Sequence, residues 1–173
     1  LNQNGKAVFT ESPQRIDDLD ILPSPYTTGI FDQLIVDYPD IEWAATLETN
    51  RGCPFQCTFC DWGGLTYSKV KKFGLERVFD ELEWIGKNCD FVVFADANIG
   101  IFVERDRLWI DKYIEVVKKY NRIKSWSGNW TKNQKNEVVE LVKKLSVELP
   151  NQGQGLTVSV QSMNLQVLET IKR

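Results

Sequence analysis

Apolar runs and amphipathic stretches alternate along this chain at a spacing that few folds accommodate. Trp43-Ala44-Ala45-Thr46-Leu47-Glu48-Thr49 reads as a buried strand. Leu75, Val78, Phe79, Leu82 and Ile85 then mark one face of a helix. Phe91-Val92-Val93-Phe94-Ala95 is a continuous apolar run, the pattern of a parallel strand covered on both faces. Ile110, Tyr113, Ile114, Val117 and Tyr120 mark a second helix. Residues 123–130 make a third strand, polar and carrying Gly128. Val138, Leu141, Val142 and Leu145 mark a third helix, with Thr131-Lys132-Asn133-Gln134 as a capping box. Leu156-Thr157-Val158-Ser159-Val160 is the fourth strand, and Asn164 caps a last helix with Leu165, Leu168 and Ile171. Strands two, three and four begin about 32 residues apart, the length of a βαβ unit. The pattern predicts an α/β fold with a parallel sheet. Four βα units do not close a barrel, so the sheet is either open and doubly wound or part of a larger barrel. The chain stops at Ile171-Lys172-Arg173 within a helix, which favours a truncated partial (β/α) barrel.

Composition narrows the chemistry. The net charge is −3, with no electrostatic signal for nucleic acid or membrane, and no apolar run approaches the ~20 residues of a membrane span. The first residues are polar, so no signal peptide is read there, and a cytoplasmic protein is expected. The chain lacks an initiator Met, which suggests a segment of a longer protein. It contains no histidine, which removes Ser-His-Asp and Cys-His catalysis and Cys₂His₂ zinc sites from this stretch. Residues 1–42 hold Pro13, Pro23, Pro25 and Pro39 among single apolar residues, and read as an extended arm packed on a core of residues 43–173. Lys69, Lys71 and Lys72 read as solvated surface.

Ligands of such folds gather at the carboxyl ends of the strands. Those ends carry Glu48-Thr49-Asn50-Arg51, Asp96-Ala97-Asn98, Asn129-Trp130 and Gln161-Ser162. Immediately after the first comes Arg51-Gly52-Cys53-Pro54-Phe55-Gln56-Cys57-Thr58-Phe59-Cys60-Asp61-Trp62, which contains Cys-x₃-Cys-x₂-Cys. Three thiolates in one loop can hold three corners of a cubane iron–sulfur cluster and leave one iron open. Cys89 lies at the opposite end of the second strand and reads as a small buried hydrophobe.

The spacing, the aromatic Phe59 before the third cysteine and the position after the first strand resemble the signature of the radical S-adenosylmethionine (radical SAM) superfamily. The resemblance implies the first four βα units of a radical SAM barrel. It also implies a [4Fe–4S] cluster on Cys53, Cys57 and Cys60 whose open iron binds S-adenosylmethionine and cleaves it reductively to a 5′-deoxyadenosyl radical. It implies cofactor contacts from Asp96 and Asn98 (the family's usual Gly-Gly-Glu is absent here), from Gln161 and Ser162, with Ser159 and Asn129 of the same type, and from Phe59 beside the adenine. An electron donor such as flavodoxin or ferredoxin would be a partner. The stretch Leu19-Asp20-Ile21-Leu22-Pro23-Ser24-Pro25-Tyr26, with Asp61-Trp62-Gly63-Gly64, resembles the subgroup that carries a cobalamin-binding domain, which implies cobalamin in the full-length protein. No residue is assigned a catalytic role and the substrate is open. The alternative is a non-catalytic module in which the cysteines hold structural zinc, with Cys89 as fourth ligand, or an electron-transfer cluster.

Overall fold

Parallel strands with helices packed on one face carry the architecture. The computed structural model describes residues 2–9, 16–60, 69–132, 136–152 and 159–172. Its elements are β1 (Asn2–Gln3), β2 (Lys6–Ala7), a 3₁₀ turn (Leu19–Ile21), α1 (Asp32–Asp37), β3 (Ala44–Leu47), β4 (Asn50–Arg51), β5 (Lys71–Lys72), α2 (Leu75–Asn88), β6 (Phe91–Ile99), α3 (Val103–Tyr120), β7 (Ser125–Trp130), α4 (Asn136–Glu148) and α5 (Leu165–Thr170). The sheet order is β3-β6-β7, the order of the chain, and both pairings are parallel. Leu47 pairs with Phe94, and Phe94 with Gly128. The next registered pair is Ile99 with Trp130, so β6 carries surplus residues there and bulges.

Burial alternates across the sheet. Ala45, Leu47, Val92, Phe94 and Trp126 are buried, while Ala44, Thr46 and Val93 on the other face are exposed and Ala95 and Ser127 half-buried. Among the described residues β6 is therefore covered on one face, not on both as its apolar run suggests. It also runs on to Ile99, which places Asp96 and Asn98 inside the strand rather than after it. The fourth strand expected at Leu156–Val160 falls mostly outside the described residues, and Ser159 and Val160 are in no strand.

The covering layer follows the periodicity of its sequence. Val78, Leu82 and Ile85 of α2, Trp109, Ile110, Tyr113 and Val117 of α3, and Val138, Leu141 and Leu145 of α4 are buried in one core. Phe94 anchors it, with ring centroids 4.8 Å from Trp109, 5.2 Å from Tyr113 and 5.8 Å from Trp126. Helices α2 and α3 approach closely because residue 86 is glycine: a Cβ there would lie 2.0 Å from Val116 Cγ1. Gly128 serves the same purpose in β7, since a Cβ would meet Ile99 Cδ1 at 2.6 Å.

Residues 16–42 are less extended than their prolines suggest, since they include the 3₁₀ turn and α1. Leu19, Ser24 and Tyr26 are buried against the rest of the chain. The Asp20 carboxylate accepts from the Gly74 N–H (3.0 and 2.9 Å), placing an anion at the N-terminus of α2. The Arg77 guanidinium donates to the carbonyls of Leu19 and Leu22 and pairs with Glu81 at 3.0 Å. Tyr26 closes the free edge of β3: its hydroxyl donates to the Thr46 carbonyl (2.5 Å) and accepts from the Thr46 N–H (3.0 Å). One side chain thus satisfies both backbone groups that an edge strand leaves open. Tyr26→Phe is expected to lower the unfolding free energy by about 1–3 kcal/mol, because both groups lose their partner. Urea denaturation monitored by circular dichroism measures it, and an unchanged midpoint would refute the role.

Candidate functional site

The site grows from one buried carboxylate. Asp96, in the bulged part of β6, is 0% exposed. Its Oδ1 accepts from the N–H groups of Thr49 (2.6 Å) and Asn50 (3.1 Å), and its Oδ2 from Thr49 Oγ1 (2.5 Å) and Asn50 Nδ2 (2.9 Å). All four donors belong to Thr49 and to Asn50, where the turn after β3 enters β4, just before the cysteines. Asp96 is thus a clamp on that turn, and its oxygens are committed to the protein rather than open to a ligand. Arg105 of α3 supports the turn from behind, donating to Thr49 Oγ1 (3.2 Å), the Thr49 carbonyl (3.0 Å) and the Phe73 carbonyl (2.6 Å). The lysines read as solvated surface take part too: β5 pairs antiparallel with β4, and Lys71 ion-pairs with Asp17.

The loop leaves this clamp through Gly52, whose φ is +112°, in a left-handed region that favours glycine. A Cβ there would meet the Lys69 carbonyl oxygen at 2.8 Å. Cys53 and Cys57 are buried and Cys60 is half-buried; all are free thiols. The Asn98 amide donates from Nδ2 to Cys53 Sγ at 3.2 Å. The Lys132 ammonium donates to Cys57 Sγ at 2.9 Å. Asn98 stands near the end of β6 and Lys132 two residues beyond β7, so the loop lies across the carboxyl ends of both strands. Asn98 is 2% exposed, and its Oδ1 is buried without a hydrogen-bond partner. Phe59 is 54% exposed, with its ring 5.5 Å from Lys132 Nζ. Among the described residues no three thiols or carboxylates are gathered into a metal-binding group.

Other residues singled out in the sequence lie elsewhere. Cys89 is buried at the far end of α2, where burial pushes its thiol up to about 11. Gln161 is exposed with φ +63°, and the half-buried Ser162 accepts the Asn164 N–H on its hydroxyl (3.1 Å) at the start of α5. Asn129 and Ser159 are exposed. Asn164 caps α5 as expected, accepting from Gln166 N–H (2.9 Å) and Val167 N–H (3.4 Å). The Ile171 carbonyl just after α5 accepts the Thr58 N–H at 3.2 Å and ties that segment to the cysteine loop. Asp61-Trp62-Gly63-Gly64 lies outside the described residues. The supporting residue Arg105 carries no signal in the sequence, and Lys132 stands there only within a capping-box stretch that gives no sign of its contact with a cysteine.

Over its whole length the chain is 33% identical, across 176 residues, to the cobalamin-dependent radical SAM methyltransferase TokK of Streptomyces tokunonensis. The chain belongs to the radical SAM superfamily. It is also 34% identical, over 171 residues and 93% of its length, to the 2-(S-pantetheinyl)-carbapenam-3-carboxylate methyltransferase of Streptantibioticus cattleyicolor. It spans 25% and 23% of the length of these two relatives. No family model matches it. Among solved structures, the radical S-adenosylmethionine methyltransferase TsrM from Kitasatospora setae, with tryptophan substrate and an S-adenosylmethionine analogue bound, shares the fold. The TM-score is 0.58 at 14% identity, over 77% of this chain and 24% of that one. TsrM with cobalamin and a [4Fe–4S] cluster bound gives the same TM-score. Among the described residues no helix is long and apolar enough to cross a membrane.

Burial pushes the Asp96 carboxyl up to about 6 from its ordinary 3.8, outweighing the four donors around it. A carboxyl raised in the folded state favours folding while protonated. Its contribution is present below about pH 4 and is lost as the pH rises through about 6. The wild-type protein should therefore lose stability between pH 4 and 6 relative to Asp96→Asn, with the difference constant above pH 7. Urea unfolding of both proteins across this range tests it, and parallel curves would refute it.

Proposed function

We propose that this radical SAM chain holds a [4Fe–4S] cluster on Cys53, Cys57 and Cys60 and binds S-adenosylmethionine beside it, as part of a cobalamin-dependent methyltransferase. The observation that carries the reading is the cysteine loop itself. Two buried sulfurs each face an N–H donor, next to a buried amide oxygen without a partner. Such donors suit the anionic sulfur of metal-bound cysteine. The donor set fits a cluster, which Cys53, Cys57 and Cys60 would hold. When bound, the cluster supplies one electron to the sulfonium of S-adenosylmethionine and so makes radical chemistry available.

The chain's own residues divide the remaining tasks. Asp96 and Arg105 hold the turn from which the loop departs. Asn98 presents Oδ1 to the ammonium of S-adenosylmethionine while its Nδ2 holds Cys53. Phe59 offers an exposed ring to the adenine. Gln161 and Ser162 supply polar contacts to ribose or carboxylate, from a segment tied to the loop through Ile171. Residues 1–42 form the arm and 43–173 the core. Chain-order strands and helices in succession on one face support a partial barrel closed by further units. A doubly wound sheet needs helices on both faces and a reversal of strand order. The electron comes from a flavodoxin or ferredoxin, in a cytoplasmic setting.

Anaerobic reconstitution should give about four iron and four sulfide per chain. Alanine at Cys53, Cys57 or Cys60 should sharply lower both, and Cys89→Ala should leave them unchanged. The low-temperature paramagnetic resonance signal of the reduced protein should change on adding S-adenosylmethionine. One zinc per chain without iron or sulfide would overturn the reading in favour of a structural metal module.

A further inference from the structure

We infer that Lys132 sets the reduction potential of the cluster by holding its positive charge against the Cys57 sulfur. This rests on the cluster reading above and adds to it the residue that governs how readily an electron enters. Lys132 Nζ lies 2.9 Å from Cys57 Sγ, and 5.7 and 5.5 Å from the ring centroids of Phe55 and Phe59. A sulfur and two aromatic faces therefore surround the ammonium. Among the described residues no carboxylate forms an ion pair with Lys132, in a chain whose overall charge is −3. Its backbone is anchored: the neighbouring Thr131 is buried, and its N–H donates to the Ile99 carbonyl at 2.7 Å.

The electrostatic consequence has a definite sign. A [4Fe–4S] cluster on three thiolates carries one net negative charge when oxidised and two when reduced. A fixed cation at hydrogen-bond distance from a ligand sulfur, partly shielded from water, stabilises the second state more than the first. The couple takes one electron from a low-potential one-electron donor of the flavodoxin or ferredoxin class. No proton moves and no bond forms or breaks. Lys132 is thus a positioning residue that acts through Cys57. Asn98 makes the corresponding contact at Cys53 with a neutral amide, which has no net charge to contribute.

The test is a redox titration of the reconstituted protein, reduced stepwise with dithionite and followed by paramagnetic resonance, with iron content measured on each sample. Lys132→Met is expected to keep its iron and to titrate at a more negative midpoint than wild type. Lys132→Arg, which keeps the charge, should titrate close to wild type. If Lys132→Met retains full iron and titrates with wild type, the inference fails and the cluster reading stands. If the wild-type protein itself holds no iron, the cluster reading fails and takes the inference with it. Should Lys132→Met lose iron, Lys132→Gln, neutral but still able to donate to sulfur, replaces it: a more negative midpoint supports the inference and an unchanged one overturns it. Loss of iron from both neutral variants would show a role in holding the cluster, and would overturn the assignment to its potential.

Discussion

A single fully buried carboxylate organises the upper rim of this protein. Asp96 takes four hydrogen bonds from Thr49 and Asn50, joining the bulge of β6 to the turn that launches the cysteine loop. Burying a carboxylate is costly unless every lone pair finds a donor. Here the donors are two backbone amides, a hydroxyl and a side-chain amide, all from one short turn. That turn can therefore adopt few alternatives, and Gly52 can direct the loop across the ends of β6 and β7. Arg105 fixes the same turn to α3 and to the Phe73 carbonyl. The positions of Cys53 and Cys57 follow from this frame.

The two faces of the sheet have different tasks. One buries Leu47, Val92, Phe94 and Trp126 against three helices that touch in succession. The other leaves Ala44, Thr46 and Val93 exposed. Among the described residues the edge beside β3 is closed by the Tyr26 hydroxyl, not by another strand. The arm thus contributes to the fold as a substitute for backbone pairing, and its Asp20 completes the N-terminus of α2.

Much of the fold could be read directly from the chain. The three helices and β7 fall where their periodicity puts them, because a 3.6-residue apolar repeat has few other ways to be buried. The ends of elements were less legible. Helix α3 begins at Val103, ahead of its apolar stripe, because the Asp106 carboxylate accepts the N–H groups of Gly100 (2.8 Å) and Phe102 (3.3 Å) at its start. Strand β6 runs past its apolar run because Asp96 and Asn98 are buried with partners from distant segments, which a local pattern does not register.

The candidate site divides in the same way. Cysteine spacing and the absence of histidine determined which residues are candidate ligands, since thiols seven residues apart at most can share one compact cofactor. Their position after a strand determined the rim on which they lie. The tertiary structure alone decided what surrounds them: that Asp96 serves the loop's frame, that Asn98 turns its amide to Cys53, and that Lys132 meets Cys57. These contacts join residues 45 and 75 positions apart. Hydrogen bonds of such span depend on strand register and on where a bulge falls, and no local sequence pattern encodes either.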